Sequence, residues 1–209
     1  MKVTKAQAQL NRAHIVETAS SLFREHGFDG VGVADLMAAA GFTHGGFYRH
    51  FDSKVDLMVE SAACGIAQTA ALMEGSEARD AVRQYLSREH RDARGAGCTM
   101  AALGADAARQ TDAVRTVFAG GVDSVAQALL REGNPLAGLD SKVARRKALD
   151  ILARAVGAIV LSRACPDNSP LADEILAACR EEILSEMRSS TATRNGSRKQ
   201  LRSGRKAPG

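Results

Sequence analysis

Residues 43–54 concentrate hydrogen-bond donors: Thr43, His44, Tyr48, Arg49, His50 and Lys54, with Gly45-Gly46 among them. Hydroxyl, imidazole, guanidinium and ammonium groups are what phosphate oxygens and base edges accept from a protein. Paired glycines leave room for a sugar-phosphate chain to come close, and N–H groups at the opening of a helix attract anions. The chemistry indicated is the binding of a polyanion. A second candidate is Cys98, which follows Gly95-Ala96-Gly97 at an expected helix start. A helix N-terminus favours the thiolate, as an electrophile or oxidant sensor or a thiol-dependent enzyme needs. The plainer reading of Cys98 is a buried, inert thiol. Cys64, Cys165 and Cys179 lack even that setting, and no Cys-x-x-Cys pair occurs. No nucleophile–base–orienter pattern, P-loop or metal-ligand spacing stands out, so no catalysis, metal or cofactor is expected.

The donors need a scaffold. Ile15, Ala19, Leu22 and Phe23 fall on one face of a helix that ends at His26-Gly27. Val33, Leu36, Met37 and Ala40 predict a second, short helix stopped by Gly41. A third opens at His44 with Thr43 as its N-cap, and Phe47 and Phe51 form its inner face. Ser53-x-x-Asp56 reads as a capping box for a fourth, with Lys54 at its first position. A cation there opposes the helix dipole, a placement that a phosphate partner explains. Two short helices joined by a Gly-containing turn form a helix-turn-helix, whose second helix enters the major groove. Six of the eight aromatic residues lie between 23 and 51, the bulk a miniature three-helix core requires.

The runs Gly27-Phe28-Asp29-Gly30-Val31-Gly32-Val33-Ala34-Asp35-Leu36-Met37 and Ala40-Gly41-Phe42-Thr43-His44-Gly45-Gly46-Phe47-Tyr48-Arg49-His50-Phe51-Asp52-Ser53-Lys54 resemble the DNA-binding domain of the TetR/AcrR repressors. The resemblance covers about the first 60 residues of the chain. It implies that Tyr48, His50 and Lys54 bind backbone phosphates. It places Thr43, His44, Gly45 and Gly46 against bases or phosphates, with His44 the residue that chooses bases. Gly32, Val33 and Ala34 open the second helix on the same DNA-facing side. Gly32 stands where that family often has Ser or Thr, so one hydroxyl contact to phosphate is lost. As an N-cap, glycine itself costs only about 0.3 kcal/mol.

The remaining chain reads as helices around 77–91, 98–109, 113–131, 141–164 and from Pro170 onward, with a break at Gly133-Asn134-Pro135. The expected fold class is all-α: an N-terminal helix-turn-helix domain (1–54), a helical effector-binding and dimerisation domain (55–188) and a disordered basic tail (189–209). Leu149, Leu152, Ala153, Val156, Ile159 and Val160 make one apolar stripe, and Ala172, Ile175, Leu176, Cys179, Ile183 and Met187 another. Such a pair can join its copy in a four-helix bundle, with Gly157-Ala158 allowing close approach. The resemblance likewise implies a homodimer. It also implies a small-molecule effector, for which Tyr85, Cys98, Phe118 and Val122 are the candidate contacts. With no Trp and so few aromatics there, a small or aliphatic effector is expected rather than a flat polyaromatic one.

The formal charge of +4 is unevenly spread: 188–209 holds seven basic residues and no acidic one, leaving −3 on 1–187. Residues 1–60 carry six Lys/Arg against seven Asp/Glu, so DNA binding must rest on a local cluster and not a broad field. The longest stretches without Asp, Glu, Lys or Arg are 13 residues, short of a membrane span. No apolar run follows the N-terminus, so a secreted or membrane-embedded protein is not expected, and the thiols belong in a reducing cytoplasm. The reading is a cytoplasmic, one-component regulator, most simply a repressor, that releases a palindromic operator when its effector binds. The rivals are an enzyme using Cys98 and an architectural DNA binder that reads no sequence.

Overall fold

The structure, a computed structural model, describes residues 4–74, 77–131, 134, 136, 137 and 139–203; side chains are described up to Arg188, without 72–74. Among the described residues there is helix and no strand. In order these are α1 (Lys5–His26), α2 (Val33–Ala39), the 3₁₀ helix η1 (His44–Arg49), α3 (Lys54–Glu74), α4 (Ala78–Tyr85), α5 (Arg88–Asp92), α6 (Thr99–Ala107), α7 (Asp112–Ala128), α8 (Ser141–Ala164) and α9 (Pro170–Ser203). No helix among the described residues is long and apolar enough to cross a membrane.

The chain divides into two compact units, one of Met1–Glu74 with Glu89–Ser124 and one of Gly75–Arg88 with Val125–Gly209. The division does not fall at residue 54. α3 packs along α1, and α6 packs on both, so the helix-turn-helix shares one core with them. Ile15, Ala19 and Phe23 of α1 meet Phe28, Leu36, Met37, Phe47 and Phe51 there, together with Leu57 and Ala62 of α3, Leu103 of α6 and Val114 of α7.

Two polar ties fasten α6 and its preceding turn to α1. Arg24, almost wholly buried, donates from Nε to the Gly95 carbonyl (2.6 Å) and from Nη1 to Ser20 Oγ (2.8 Å) and Thr99 Oγ1 (3.4 Å). A Cβ on Gly65 of α3 would lie 2.3 Å from that Nη1, so only glycine lets α3 pass so close. At the other end of α6, Asp106 accepts the Phe28 N–H (3.2 Å) in the turn between α1 and α2. Asp106→Ala would leave this N–H without its acceptor, at a cost of about 1–2 kcal/mol. A lowered urea midpoint with an unchanged m-value is the expected result.

In the second unit α8 and α9 run antiparallel through the short turn at 165–169. Ser162 donates to the Ala172 carbonyl (2.8 Å), and Arg154 binds Glu186 through both guanidinium nitrogens (2.9 and 2.7 Å). That bidentate bond holds the Glu186 carboxyl below its ordinary range. α4 lies on α9, where Arg180 takes the Leu86 carbonyl (3.0 Å).

Several elements differ from the sequence reading. The helix expected over 77–91 is broken: Leu86 leaves the helical region (φ −93°, ψ 41°) and is fully buried. Burial of Leu86 and the hydrogen bond from Arg180 replace the continued helix. The helices read as 98–109 and 113–131 close at Ala107 and Ala128. The last helix does not stop near Met187 but runs to Ser203, into the stretch expected to be disordered. No proline interrupts 171–203. The tail beyond Ser203, and Gly133 and Pro135 of the expected break, lie outside the described residues.

Candidate nucleic-acid interface

The turn between α2 and η1 is built from backbone hydrogen bonds. Ala40 is the C-cap of α2; Gly41 N–H donates to Ala38 (3.0 Å) and Phe42 N–H to Met37 (2.8 Å). This pairing is a Schellman motif, and it requires the left-handed conformation that Gly41 adopts (φ 80°). Phe42 then turns inward, with its ring 6.2 Å from that of His50 and 6.4 Å from that of His14 on α1.

The recognition element is a 3₁₀ helix, not the α-helix expected. Gly46 N–H bonds Thr43 (2.9 Å) and His50 N–H bonds Phe47 (2.8 Å), both i to i+3. Gly45-Gly46 hold an α-helix poorly, and the element is short, though six residues is long for a 3₁₀ helix. Thr43 occupies the N-cap position with extended backbone, but its side chain makes no capping bond. Gly32, likewise extended, caps α2 without a side chain. Half of the box read at α3 forms: Asp56 N–H donates to Ser53 Oγ (3.2 Å), but the Asp56 carboxylate accepts from the Ser53 hydroxyl (2.9 Å) in place of the Ser53 backbone N–H.

Phe47 and Phe51 are buried, with ring centroids 5.4 Å apart, and they set which residues face outward. Thr43, His44, Gly45, Tyr48 and Arg49 are exposed; Gly46, His50 and Lys54 are partly so. Tyr48 is the most exposed large apolar side chain among the described residues, at 68%. At the start of α2, Gly32 and Ala34 are exposed and Val33 is half-buried. The Lys54 ammonium lies 5.9 Å from the centre of the Phe23 ring. Burial, then the nearby Arg12 and Arg49 cations, hold the His50 imidazole below its ordinary pKa. Exposed donors thus share one surface with the open N-terminus of η1, an arrangement suited to phosphate and base contacts.

The four residues read as effector contacts are not brought together within one unit. Cys98, Phe118 and Val122 lie in the first and Tyr85 in the second. Cys98 is the N-cap of α6, 4% exposed, and its backbone N–H donates to His90 Nε2 (3.2 Å). Phe118 is buried with Val114 in the core, while Val122 is exposed. Burial pushes the Cys64 and Cys179 thiols up. Among the described residues no group of His, Cys, Asp and Glu could hold a metal ion. The sequence reading missed Arg12, which forks onto Glu60 with Nε 3.1 Å from Oε2 and Nη2 on Oε1, and whose guanidinium carbon sits 4.3 Å from the centre of the Phe51 ring. With 48 residues between the partners, no local pattern announces that contact.

Residues 15–60 match the family model described as "Bacterial regulatory proteins, tetR family". Over these residues the chain is similar to the DNA-binding domain of the TetR family. Over 57 residues it is 40% identical to the HTH-type transcriptional regulator AcrR of Shigella flexneri, covering 27% of this chain and 26% of that protein. Over 43 residues it is 46% identical to the HTH-type transcriptional repressor DhaR of Mycobacterium sp. (strain GP1), covering 21% and 22%. The matches thus span about a quarter of the length of these curated relatives. The fold extends further. The crystal structure of reduced E. coli NemR superposes with a TM-score of 0.68 at 20% identity, covering 83% of this chain and 94% of that one. A TetR-family regulator from Cytophaga hutchinsonii gives 0.68 at 18% identity, covering 88% and 98%. The two curated relatives are named as a transcriptional regulator and a transcriptional repressor.

Proposed function

We propose that this protein is a one-component transcriptional regulator of the TetR family, a repressor, that binds a palindromic duplex operator as a homodimer and releases it when a small molecule binds the helices beyond α3. The observation that carries the DNA-binding half is Gly45. Its backbone is not in the left-handed region, and a Cβ added there would meet no atom within 4 Å. Gly104, Gly120 and Gly157 are as open, but Gly45 stands at the exposed opening of η1 beside Thr43, His44, Tyr48 and Arg49, where a duplex would press. Selection of bound sequences from a random duplex pool tests the reading: recovery of a palindrome with half-sites about one helical turn apart, or a multiple, supports it. A pool that shows no sequence preference would favour the architectural alternative.

Within the interface, Tyr48, Lys54 and His50 serve as phosphate contacts, and Thr43, His44 and Gly46 face bases or phosphates beside Arg49. Gly32, Val33 and Ala34 border the same surface. Tyr48→Phe and Lys54→Ala should weaken binding to all duplexes alike, since phosphate carries no base information. Lys54→Ala should also reduce the salt slope by roughly one unit. A change at His44 should instead relax the choice of base at one or two positions per half-site, read by repeating the selection. Altered base preference in the Tyr48 or Lys54 variants would reverse these assignments.

The dimer reading is supported by apolar surface that α8 and α9 do not bury in their own unit: Val160, Leu161 and Leu171 are exposed. A Cβ on Gly157 would meet nothing within 4 Å, which leaves that position open to a second copy. The effector reading rests on the family and on relatives named as repressors. Cys98, Phe118 and Val122 of the first unit are its proposed contacts, and a small or aliphatic effector its proposed class. The proposed site of action is the cytoplasm, where the operator lies.

A further inference from the structure

The end of η1 is held by a clamp from outside the helix-turn-helix. Arg12 on α1 spends its fork on Glu60 of α3 and lays its guanidinium over Phe51, the buried residue whose N–H, with that of His50, bonds the Phe47 carbonyl. The Phe51 ring stands 6.3 Å from the His50 ring, and Phe42 closes the other side of His50 at 6.2 Å. The charged and titratable groups around His50 are Arg12 from α1, Arg49 from η1, His14 of α1 across Phe42, and Glu60 of α3 through Arg12. Three elements therefore converge on two adjacent residues, one a core aromatic and the other a proposed phosphate donor.

We propose that Arg12, gripped by Glu60 and stacked on Phe51, is a positioning residue of the DNA-binding surface, fixing the exit of η1 and the seat of His50 without touching DNA. This rests on the DNA-binding reading above and deepens it. An arginine suits the task because one planar group makes a bidentate bond in its plane and stacks through its face, which a lysine ammonium does not. Glu60 occupies Nε and Nη2 of the guanidinium. The clamp also acts electrically: the Arg12 cation is one of the influences that keep the His50 imidazole neutral in the free protein.

The test uses the full chain, a duplex recovered from the random pool, anisotropy titrations over a range of salt, and NMR titration of His50 in the free protein. Arg12→Met and Glu60→Gln should each weaken binding roughly five- to thirty-fold. The salt slope and base preference should not change, and the double variant should be no weaker than either single one. Arg12→Lys should fail to restore affinity. The His50 midpoint should rise in Arg12→Met, which removes a cation. It should fall further in Glu60→Gln, which leaves that cation unneutralised. General loosening of the domain would not move one histidine in opposite directions. A salt slope reduced by about one unit in Arg12→Met would make Arg12 a direct phosphate contact and overturn the proposal. Wild-type affinity in both variants, or an unmoved His50, would overturn it as well. A wild-type chain that retains no duplex removes the DNA-binding reading and this proposal together, whereas the other failures leave that reading standing.

Discussion

Gly45→Leu is expected to abolish operator binding in a protein that folds as well as the wild type. Gly45 is exposed, its backbone is accessible to any residue, and no atom lies within 4 Å of where a Cβ would sit. Leucine at a helical position is favoured over glycine by about 0.8 kcal/mol, so the melting temperature should hold or rise slightly. Against a duplex, the isobutyl group would stand between the opening of η1 and the groove, and would separate the neighbouring donors from their acceptors. Individual base contacts contribute about 1–3 kcal/mol of discrimination, so losing even two of them lowers affinity by roughly thirtyfold or more. Gly41→Leu provides the contrast: its positive φ means the same substitution strains the turn and lowers stability first. Anisotropy against the selected duplex, alongside thermal melts, separates the two. Wild-type affinity in Gly45→Leu would show that DNA does not approach this face.

The second large effect is expected on assembly. Leu161→Glu should convert the dimer to a folded monomer. Leu161 is 60% exposed in the protomer, so a carboxylate there costs the isolated chain little. In a symmetric interface through α8 and α9 the same substitution buries a charge from each copy, at a cost of several kcal/mol apiece. The dimer dissociation constant should rise by roughly a thousandfold or more, read by sedimentation velocity across a concentration series. Val156→Glu and Ile175→Glu are less clean probes, because both side chains are already half-buried within the protomer. Operator affinity should fall with the dimer, since each half-site then binds alone. A Leu161→Glu protein that sediments as an undiminished dimer would place the interface on another face.

The helical fold class and several element ends are legible in the sequence because their causes are local. α8 begins at Ser141 behind the Asp140 N-cap, whose carboxylate accepts from Lys142 and Val143, and ends at Ala164 before Cys165-Pro166, as the periodicity implies. The turn at Gly41 and the box at Ser53 and Asp56 involve residues within a few positions of one another, so residue type and spacing identify them. The apolar stripe read on α8 is out of register: of Leu149, Leu152, Ala153, Val156, Ile159 and Val160 only Ile159 is buried, while Ala144, Ala148, Ile151 and Ala158 supply the rest of the buried face.

Residue type and short-range spacing thus account for which segments are helical, where glycine and proline stop them, and which short stretch carries donors suited to phosphate. These follow from backbone preference and side-chain periodicity, which act over one or two turns. Long-range packing set the rest. It seated the recognition element on Phe47 and Phe51, broke the helix at Leu86 by burying that side chain and engaging its carbonyl with Arg180, and put Phe118 in a core. It also joined Arg12 to Glu60, Arg24 to Gly95, and Asp106 to Phe28. Each of those bonds spans dozens of residues and forms only after hydrophobic faces have packed, because the entropy of closing such a loop outweighs any single polar contact until the core holds its ends together.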